Sequence, residues 1–330
     1  YHRIVASVGR GAILPLTRRY KTDLLSQRFR RLSTRFYTDT ALCNVKSVVG
    51  NTCAQIFTDG EGFVVAYPMK AKSSAGEMLS RCCNDIGVPN ELHMDNAPEM
   101  IGDDTQFREV CRTQRIRTTT IEPKSPWQNK CENVIGIISK KAVNRRMRRN
   151  APKCIWDFGL VWECEFYSRT ANKDGRPGLE RITGDTVDIS EWIEFEFYDL
   201  VRYWDNRDDA SNDSVGRWLG VSHHVGSALC YWILTEKGTV ISRTTVQHFT
   251  HEEVNDPEVQ QRIQDYHSSL KVSLGNDQFR HDSNEDLDLF VKDDVEAIPG
   301  SGMHEGDNVY FGPDSLPDVD DILGENDDEG

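Results

Sequence analysis

Short apolar segments separated by turn residues follow one another in the chain after residue 33. Segments 34–42, 52–58 and 62–68 are rich in Thr, Phe, Val and Tyr, a composition typical of β-strands. Asp59-Gly60 lies between the second and third segments and predicts a hairpin turn. The pattern therefore predicts three successive strands.

Helical periodicity begins after these strands. Ser73 and Ser74 can cap a helix that Gly87 would end. Its apolar positions are Met78, Leu79, Cys82, Cys83 and Ile86. The elements predicted next are a strand ending at His93-Met94-Asp95, a helix at 105–114, a strand at 116–121, a loop containing Pro123 and Pro126, and a long helix at 127–149. This order of strands and helices predicts an α/β domain with a mixed sheet.

The second half of the chain has a different pattern. An aromatic-rich helix is predicted at 154–171, and short strands alternate over 195–252, starting at Phe195–Tyr198. Gly238 falls between two of these strands and suggests a hairpin. We expect a small β-rich domain there, either a barrel or a meander.

Charge is distributed unevenly along the chain. Residues 1–150 contain 25 Lys and Arg against 14 Asp and Glu, whereas the remaining residues contain 14 against 39. A basic first half and an acidic second half predict that the first half contacts a polyanion. Residues 1–33 form a basic segment, which can be either a solvated linker or an arm that follows a nucleic-acid strand. Residues 253–330 contain 22 acidic and 4 basic residues, which predicts a disordered tail dispensable for activity.

The cysteines and the ends of the chain limit the class of protein. The nine cysteines are scattered without a C-x-x-C pair, which is typical of reduced intracellular thiols. No apolar run reaches the roughly 18 residues of a membrane span, and we expect no membrane partner. Because the chain starts at Tyr1 without Met or a signal peptide, we interpret it as a piece of a longer polypeptide.

Three acidic residues occur where the predicted elements place carboxylates beside buried structure. Asp39 lies within the first strand, Asp95 ends the fourth strand, and Glu132 stands near the start of the long helix. Each has an ordinary structural explanation when taken alone, as a strand-edge charge, a turn residue or a first-turn helix acid. Their joint order suggests a site for divalent metal ions, since Mg²⁺ prefers oxygen ligands.

The surroundings of these acids resemble a known family. Leu92-His93-Met94-Asp95-Asn96-Ala97 and Pro123-Lys124-Ser125-Pro126-Trp127-Gln128-Asn129 are the two motifs, and 36 residues separate Asp95 from Glu132. Both motifs and this spacing are similar to the catalytic core of retroviral and retrotransposon integrases, most of all the copia type. Gly216-Arg217-Trp218-Leu219-Gly220 resembles the segment that follows the core in copia-like polyproteins.

The resemblance implies a fold, an activity and partners. The expected fold is α/β and ribonuclease H-like, with a mixed five-stranded sheet flanked by helices over residues 34–175. The expected activity is metal-dependent 3′-end processing and strand transfer, with Asp39, Asp95 and Glu132 as the catalytic metal ligands and Mg²⁺ or Mn²⁺ as cofactor. The partners would be element ends and target DNA, and the chain would act as a homo-oligomer. Integration implies the nucleus, after a cytoplasmic particle.

Basic residues of the long helix are the candidate DNA contacts, because they share the helix that begins at the acids. The candidate DNA-binding residues are Asn129, Lys130, Lys140, Lys141, Arg145 and Arg146. Asp59 is a rival metal ligand, although a hairpin-turn role is favoured. His223-His224 lacks a matching ligand spacing and is interpreted as exposed strand-end histidines.

Two other classes of function stay open. The chain can be a catalytically inactive DNA-binding relic, although all three acids are intact, or a ribonuclease H or resolvase-like nuclease. The loop before Glu132 favours an integrase. The family's amino-terminal zinc-binding module is absent from residues 1–33, which contain only His2 and no Cys.

Overall fold

Two β-sheets and their surrounding helices make up the described chain, which comprises residues 30–121, 129–172, 175–204, 213–223, 225, 229–280 and 289–291 of a computed structural model. The first sheet contains β1 (Arg31–Cys43), β2 (Cys53–Thr58), β3 (Val64–Met69), β4 (Val88–Met94) and β5 (Arg117–Thr120). Their order is β3-β2-β1-β4-β5. Strands β1, β2 and β3 are antiparallel, whereas β4 and β5 run parallel to β1. This order and these directions are those of a ribonuclease H-like fold, as predicted.

Helices cover both faces of this sheet. They are α1 (Ala75–Asp85), α2 (Pro98–Ile101), α3 (Gln106–Thr113), α4 (Lys130–Arg148) and α5 (Trp156–Arg169), followed by α6 (Gly178–Thr183) and α7 (Ser190–Ile193). Phe36 and Leu92 pack with α1 and α3 on one face, whereas Ala41 and Ile56 pack with α4 and α5 on the other. Both faces of the sheet are therefore buried, as expected for strands that carry parallel crossovers.

The predicted cap of α1 differs from the observed one. Ser73 lies in a short 3-10 turn, and the Ser74 side chain makes no capping hydrogen bond. Gly87 has a φ of +136°, and a side chain there would contact the Arg30 carbonyl, so only glycine suits the turn into β4.

The second sheet contains β6 (Leu200–Trp204), β7 (Asp213–Val221), β8 (Tyr231–Leu234), β9 (Val240–Arg243) and β10 (Val246–His248). Its order is β10-β6-β7-β8-β9, with antiparallel neighbours throughout. Strands β6 to β9 form a meander, and β10 returns to pair with β6. Gly238, with a φ of +70°, lies in the β8–β9 hairpin where the sequence predicted a turn.

Phe195–Tyr198 is not a strand, and that prediction was wrong. Phe195 and Phe197 are both buried in the core of the second sheet, and Tyr198 has a positive φ of 69°. The Tyr198 amide donates to the Trp218 carbonyl at 2.8 Å. The apolar pattern of this segment therefore reflects the anchoring of an irregular turn and not the alternation of a strand.

The carboxyl-terminal segment also differs from its prediction. Helix α8 (His251–Val254) crosses the start of the predicted disordered tail, and helix α9 (Pro257–Leu274) and strand β11 (Phe290–Val291) are ordered elements within it. Tyr266 and Leu270 of α9 are buried in the core of the second sheet, and the Tyr266 hydroxyl donates to the Leu234 carbonyl at 2.9 Å. The acidic composition of this segment did not indicate the packing of α9. A helix needs only one apolar face to pack on a core, even when its other faces are acidic.

Strand β11 returns to the first sheet. It pairs antiparallel with β1, with Leu42 opposite Val291, and the preceding Leu289 is buried against the α4–α5 side. The prediction of disorder thus fails for 253–280 and 289–291, and residues 281–288 and 292–330 lie outside the described ones. At the other end, β1 begins at Arg31, inside the predicted basic linker.

The nine cysteines are free thiols, and all of them except Cys43 are buried. None of the helices in the described ranges is long and apolar enough to cross a membrane.

Truncation after Glu252 is expected to destabilise the protein, whereas truncation after Val291 is expected to leave its fold intact. The shorter chain loses Tyr266 and Leu270 from a core, and removing even one large buried side chain costs about 3 kcal/mol. Thermal unfolding of both truncated chains beside the full chain measures the difference. Equal melting temperatures would show that α9 contributes nothing to the core.

Candidate active site

Asp39 and Asp95 lie on the same face of the first sheet. In β1, Phe36 faces the α1–α3 side, and Tyr37 and Ala41 face the α4–α5 side, so alternation places Asp39 with the latter pair. Parallel pairing sets Thr38 of β1 opposite Met94 of β4, and the next residues along the two strands are Asp39 and Asp95. Because neighbouring strands are about 4.8 Å apart, we infer that the two acids lie beside each other.

Glu132 lies in the first turn of α4, the helix that packs on this face. The adjacent Cys131 is fully buried, and its thiol donates weakly to the Ile56 carbonyl at 3.8 Å. Ile56 is the antiparallel partner of Asp39, so the start of α4 lies beside that acid. The three predicted metal ligands thus belong to one side of the sheet, as two positions beside each other and one on the helix that packs there.

Asn129 joins the helix to the sheet. Its side-chain oxygen accepts from the Cys131 amide at 3.0 Å, which caps α4, and its amide nitrogen donates to Asp39 Oδ2 at 3.1 Å. The residue is 5% exposed. The prediction that Asn129 contacts DNA is therefore wrong in this structure, because its polar atoms face the protein and little of its surface reaches solvent.

Backbone amides hold the other carboxylate oxygens. Asp39 Oδ1 accepts from the Thr40 amide at 2.7 Å, and Asp95 Oδ1 accepts from the Asn96 amide at 2.6 Å. The Asn96 side chain in turn donates to the Ile121 carbonyl at 3.0 Å, linking the end of β4 to the residue after β5. Short hydrogen bonds of this kind restrict the rotation of the two carboxylates.

A buried polar network supports Asp39 from the opposite face of β1, and the sequence reasoning missed it. Gln55 is fully buried, accepts from the Thr40 hydroxyl at 2.9 Å and donates to the Thr38 hydroxyl at 2.7 Å. Thr38 donates onward to the Ile56 carbonyl at 2.8 Å. The signal available in the sequence is a glutamine inside an otherwise apolar strand, which requires partners when it is buried.

His93 lies beside the acids on the same face. Its ring packs edge-on against Tyr37 at 5.5 Å, and its Nδ1 is 2.9 Å from the Thr119 hydroxyl. Burial, assisted by the charge of Arg35, lowers the pKa of His93. A neutral imidazole is therefore the expected form at neutral pH.

The donor chemistry suits a hard divalent cation, because three carboxylates supply only oxygen ligands. Within the described residues, however, no set of three or more Asp, Glu, His or Cys side chains is gathered closely enough to hold one ion. The structure thus provides the ligand types on one face without closing them around a cation.

Asp59, the rival ligand, serves the hairpin between β2 and β3. It is 5% exposed, accepts from the amides of Glu61 and Phe63 at 2.8 and 3.0 Å, and is ion-paired with Arg181. A carboxylate with these partners stabilises the turn, in agreement with the favoured prediction. His223 is exposed, and its Nε2 lies 3.0 Å from Glu165 Oε1. His224 lies outside the described residues.

The basic residues of α4 divide into two groups. Lys140 and Lys141 are exposed, and the Lys141 ammonium lies 5.0 Å from the centre of the Tyr167 ring. Lys130 is half-exposed, lies 5.6 Å from the centre of the Tyr37 ring and is 3.8 Å from Glu61. Lys130 therefore lies beside the face that carries the acids, and Lys140 and Lys141 lie farther along the helix that packs on this face.

Arg145 and Arg146 have internal partners. The Arg145 guanidinium is ion-paired with buried Glu163 and lies 4.1 Å from the centre of the Trp162 ring. Arg146 is 2% exposed and donates to the Ala151 carbonyl at 3.3 Å. The DNA-binding prediction is wrong for Arg146, which phosphates cannot reach, and the charge of Arg145 is compensated within the protein. Trp127 and Gln128, with the rest of the loop at 122–128, lie outside the described residues.

Neither a family model nor a curated protein sequence matches this chain. Its fold is similar to several solved structures of integrases. One is the HTLV-2 integrase catalytic core domain in complex with magnesium, at 18% identity and a TM-score of 0.37, over 46% of this chain and 97% of that chain. Another is the BIV integrase catalytic core domain, at 15% identity and a TM-score of 0.36, over 46% of this chain and 93% of that chain.

One chain of a larger assembly also has a similar fold. The assembly is the simian T-cell lymphotropic virus intasome in complex with the PP2A regulatory subunit B56 gamma, at 15% identity and a TM-score of 0.39, over 67% of this chain and 81% of that chain. These similarities concern the path of the backbone, and the fold class rests on the strand order and registers of the first sheet.

Replacement of Arg146 by Ala is expected to lower the free energy of unfolding by about 3 kcal/mol, because it removes a buried, hydrogen-bonded side chain. Lys140→Ala is the matched control on the exposed face of the same helix and is expected to change stability by less than about 0.5 kcal/mol. Urea unfolding of both variants measures the two values. Similar small losses would place Arg146 on the surface after all.

Proposed function

We propose that this chain is an integrase of the retrotransposon class, which joins the 3′ ends of element DNA to target DNA. The observation that carries the proposal is the register of a ribonuclease H-like sheet, in which Thr38 pairs with Met94, the residues just before Asp39 and Asp95. The helix with Glu132 in its first turn, α4, packs on the same sheet. The two motifs around Asp95 and before Glu132 support the copia type.

Asp39, Asp95 and Glu132 would hold Mg²⁺ or Mn²⁺ ions, which activate the attacking hydroxyl and stabilise the leaving oxygen of a phosphodiester. The amides of Thr40 and Asn96 orient the two aspartates. The positive end of the α4 dipole lies at the same place and favours ionised carboxylates there.

The exposed cations Lys140 and Lys141 would bind the DNA backbone. A helix advances about 1.5 Å per residue, so Lys140 lies roughly 12 Å along α4 from Glu132. A long side chain and a DNA backbone can span that distance. The catalytic acids and the phosphate-binding lysines therefore share one rigid element, which suits an enzyme that must position DNA ends.

A homo-oligomer would bring two DNA ends together, and integration would take place in the nucleus after assembly in a cytoplasmic particle. Both expectations follow from the proposed activity. Joining two ends to one target requires two active sites, and the target is chromosomal DNA.

Asp95→Asn is expected to abolish joining, with a loss of about 10²–10³-fold, because it removes one charged ligand from the cation site. Asp104→Asn is the matched control, since Asp104 is an exposed acid of the loop before α3. The full chain is incubated with a pool of short blunt duplexes and a supercoiled plasmid in Mg²⁺ or Mn²⁺, and junctions are sequenced.

The products distinguish the classes of function. Asp95-dependent junctions support an integrase, and cleavage without joining would indicate a nuclease on the same fold. Plasmid binding without either product would identify an inactive DNA-binding relic. Equal activity of Asp95→Asn and the parent would refute the assignment of the site.

Replacement of Lys140 and Lys141 by Ala should flatten the salt dependence of DNA binding by about two units of slope, one for each phosphate that is no longer neutralised. Affinity for unrelated duplexes should fall uniformly, since phosphate contacts carry no sequence information. Binding is measured by fluorescence anisotropy over a series of salt concentrations.

The charge-matched control replaces Lys237 and Lys271, which are exposed on the hairpin of the second sheet and on α9. It should keep the slope of the parent. An equal change in both double variants would indicate a general charge effect and would remove α4 from the DNA path.

A further inference from the structure

We propose that Asn129 is a positioning residue, which holds Asp39 against the first turn of α4 so that the sheet acids and Glu132 keep one arrangement toward a divalent cation. The inference rests on the proposed function and adds to it a residue for which the sequence predicted a DNA contact. Its basis is that the nitrogen and the oxygen of one buried side-chain amide each form a hydrogen bond, one to the sheet and one to the helix.

The two ends of the amide act on two different elements. The oxygen accepts from the Cys131 amide at 3.0 Å, and the nitrogen donates to Asp39 Oδ2 at 3.1 Å. An ionised carboxylate can only accept hydrogen bonds, so the group that donates to Asp39 must be the amide nitrogen, and the amide oxygen is left for the helix. The pairing therefore defines the orientation of the amide.

Burial makes this bond strong. Asn129 is 5% exposed, and Cys131 beside it is fully buried. A hydrogen bond to a charged acceptor gains strength where water is excluded, because the local dielectric constant is low. The junction between Asp39 and the start of α4 is thus largely closed to solvent.

The same residue constrains Glu132. The Glu132 amide donates to the Asn129 carbonyl at 3.2 Å, in the first turn of α4. Cys131 and Val134 pack α4 on the sheet, but apolar contacts tolerate small sliding and rotation of a helix end. Directional bonds from Asn129 to Asp39 and within the first turn remove that freedom. One residue therefore couples the strand acid to the helix acid, through its side chain on Asp39 and its backbone carbonyl on Glu132.

A role limited to helix capping predicts different behaviour. Ser, Thr and Asp cap helices about as well as Asn, because only a side-chain oxygen is required. Positioning of Asp39 also requires the amide donor, which the shorter Ser side chain cannot place at the same point. Asn129→Ser thus keeps the cap and removes the link to Asp39.

The test measures Mn²⁺ binding to the full chain by electron paramagnetic resonance, together with the melting temperature without metal. Asn129→Ser should melt within about 2 °C of the parent and bind Mn²⁺ about 10-fold more weakly, the usual scale for losing a group that orients a metal ligand. Joining activity should fall in parallel.

Thr105→Ala is the matched control. Thr105 caps α3 by accepting from the Arg108 amide at 3.3 Å, and α3 packs on the opposite face of the sheet. Removal of its hydroxyl should lower the melting temperature without changing Mn²⁺ affinity, which is the reverse of the result expected for Asn129→Ser.

Two outcomes separate this inference from the proposed function. If Asp95→Asn abolishes Mn²⁺ binding while Asn129→Ser binds as tightly as the parent, Asn129 is only a cap and the inference is overturned. If the parent and Asp95→Asn bind Mn²⁺ equally, the cation site itself is wrong, and the proposed function falls together with the inference.

Discussion

Strand β1 has to satisfy a different environment on each of its faces, and the rest of the structure depends on this constraint. Phe36 packs under α1 and α3, and Ala41 packs under α4 and α5. Because side chains alternate along a strand, a single-residue slip would exchange these faces and bury Asp39 in an apolar core. Pairing with both β2 and β4 prevents that slip and sets the position of the acid.

The polar groups around β1 follow from the same constraint. Gln55, Thr38 and Thr40 satisfy one another directly behind Asp39, where an unpaired amide would be costly. On the face that packs against α4, the Asn129 side chain donates a hydrogen bond to Asp39 and so joins this acid to the start of α4. The candidate site is thus held by hydrogen bonds on both sides of one strand and by packing at its ends.

Helix α5 connects the first sheet to the core of the second sheet. Trp162 lies in the core that contains Phe197, and its ring stacks on Phe166 at 5.1 Å between centroids. Arg145 of α4 packs over the same indole ring and pairs with Glu163, so the two helices and the second sheet share one cluster. Arg145 therefore stabilises this junction, whereas the exposed Lys140 and Lys141 are free of this role and would bind phosphates in the proposed function.

Local patterns in the sequence were sufficient for most of the elements. Alternation and turn residues predicted β1 to β3 and the β8–β9 hairpin, because these signals act between neighbouring residues. The spacing of Asp39, Asp95 and Glu132, with the motifs around them, is the basis of the hypothesis that these carboxylates share a site. Strand register and helix packing then place them on one face, although they are not closed around a cation.

Other properties were decided only by contacts between residues far apart in the chain. Arg146 and Lys140 look alike in a basic run, but the rotation of α4 on the sheet buries one and exposes the other. The acidic composition after Glu252 concealed a docked helix, since Tyr266 is buried only by the second sheet. The sequence motif assigned Asn129 to a loop that contacts DNA, whereas in the fold its amide nitrogen donates to Asp39. In each case the sequence determined the chemical group, and the tertiary structure determined its partner, because burial and hydrogen bonding depend on which distant surface covers it.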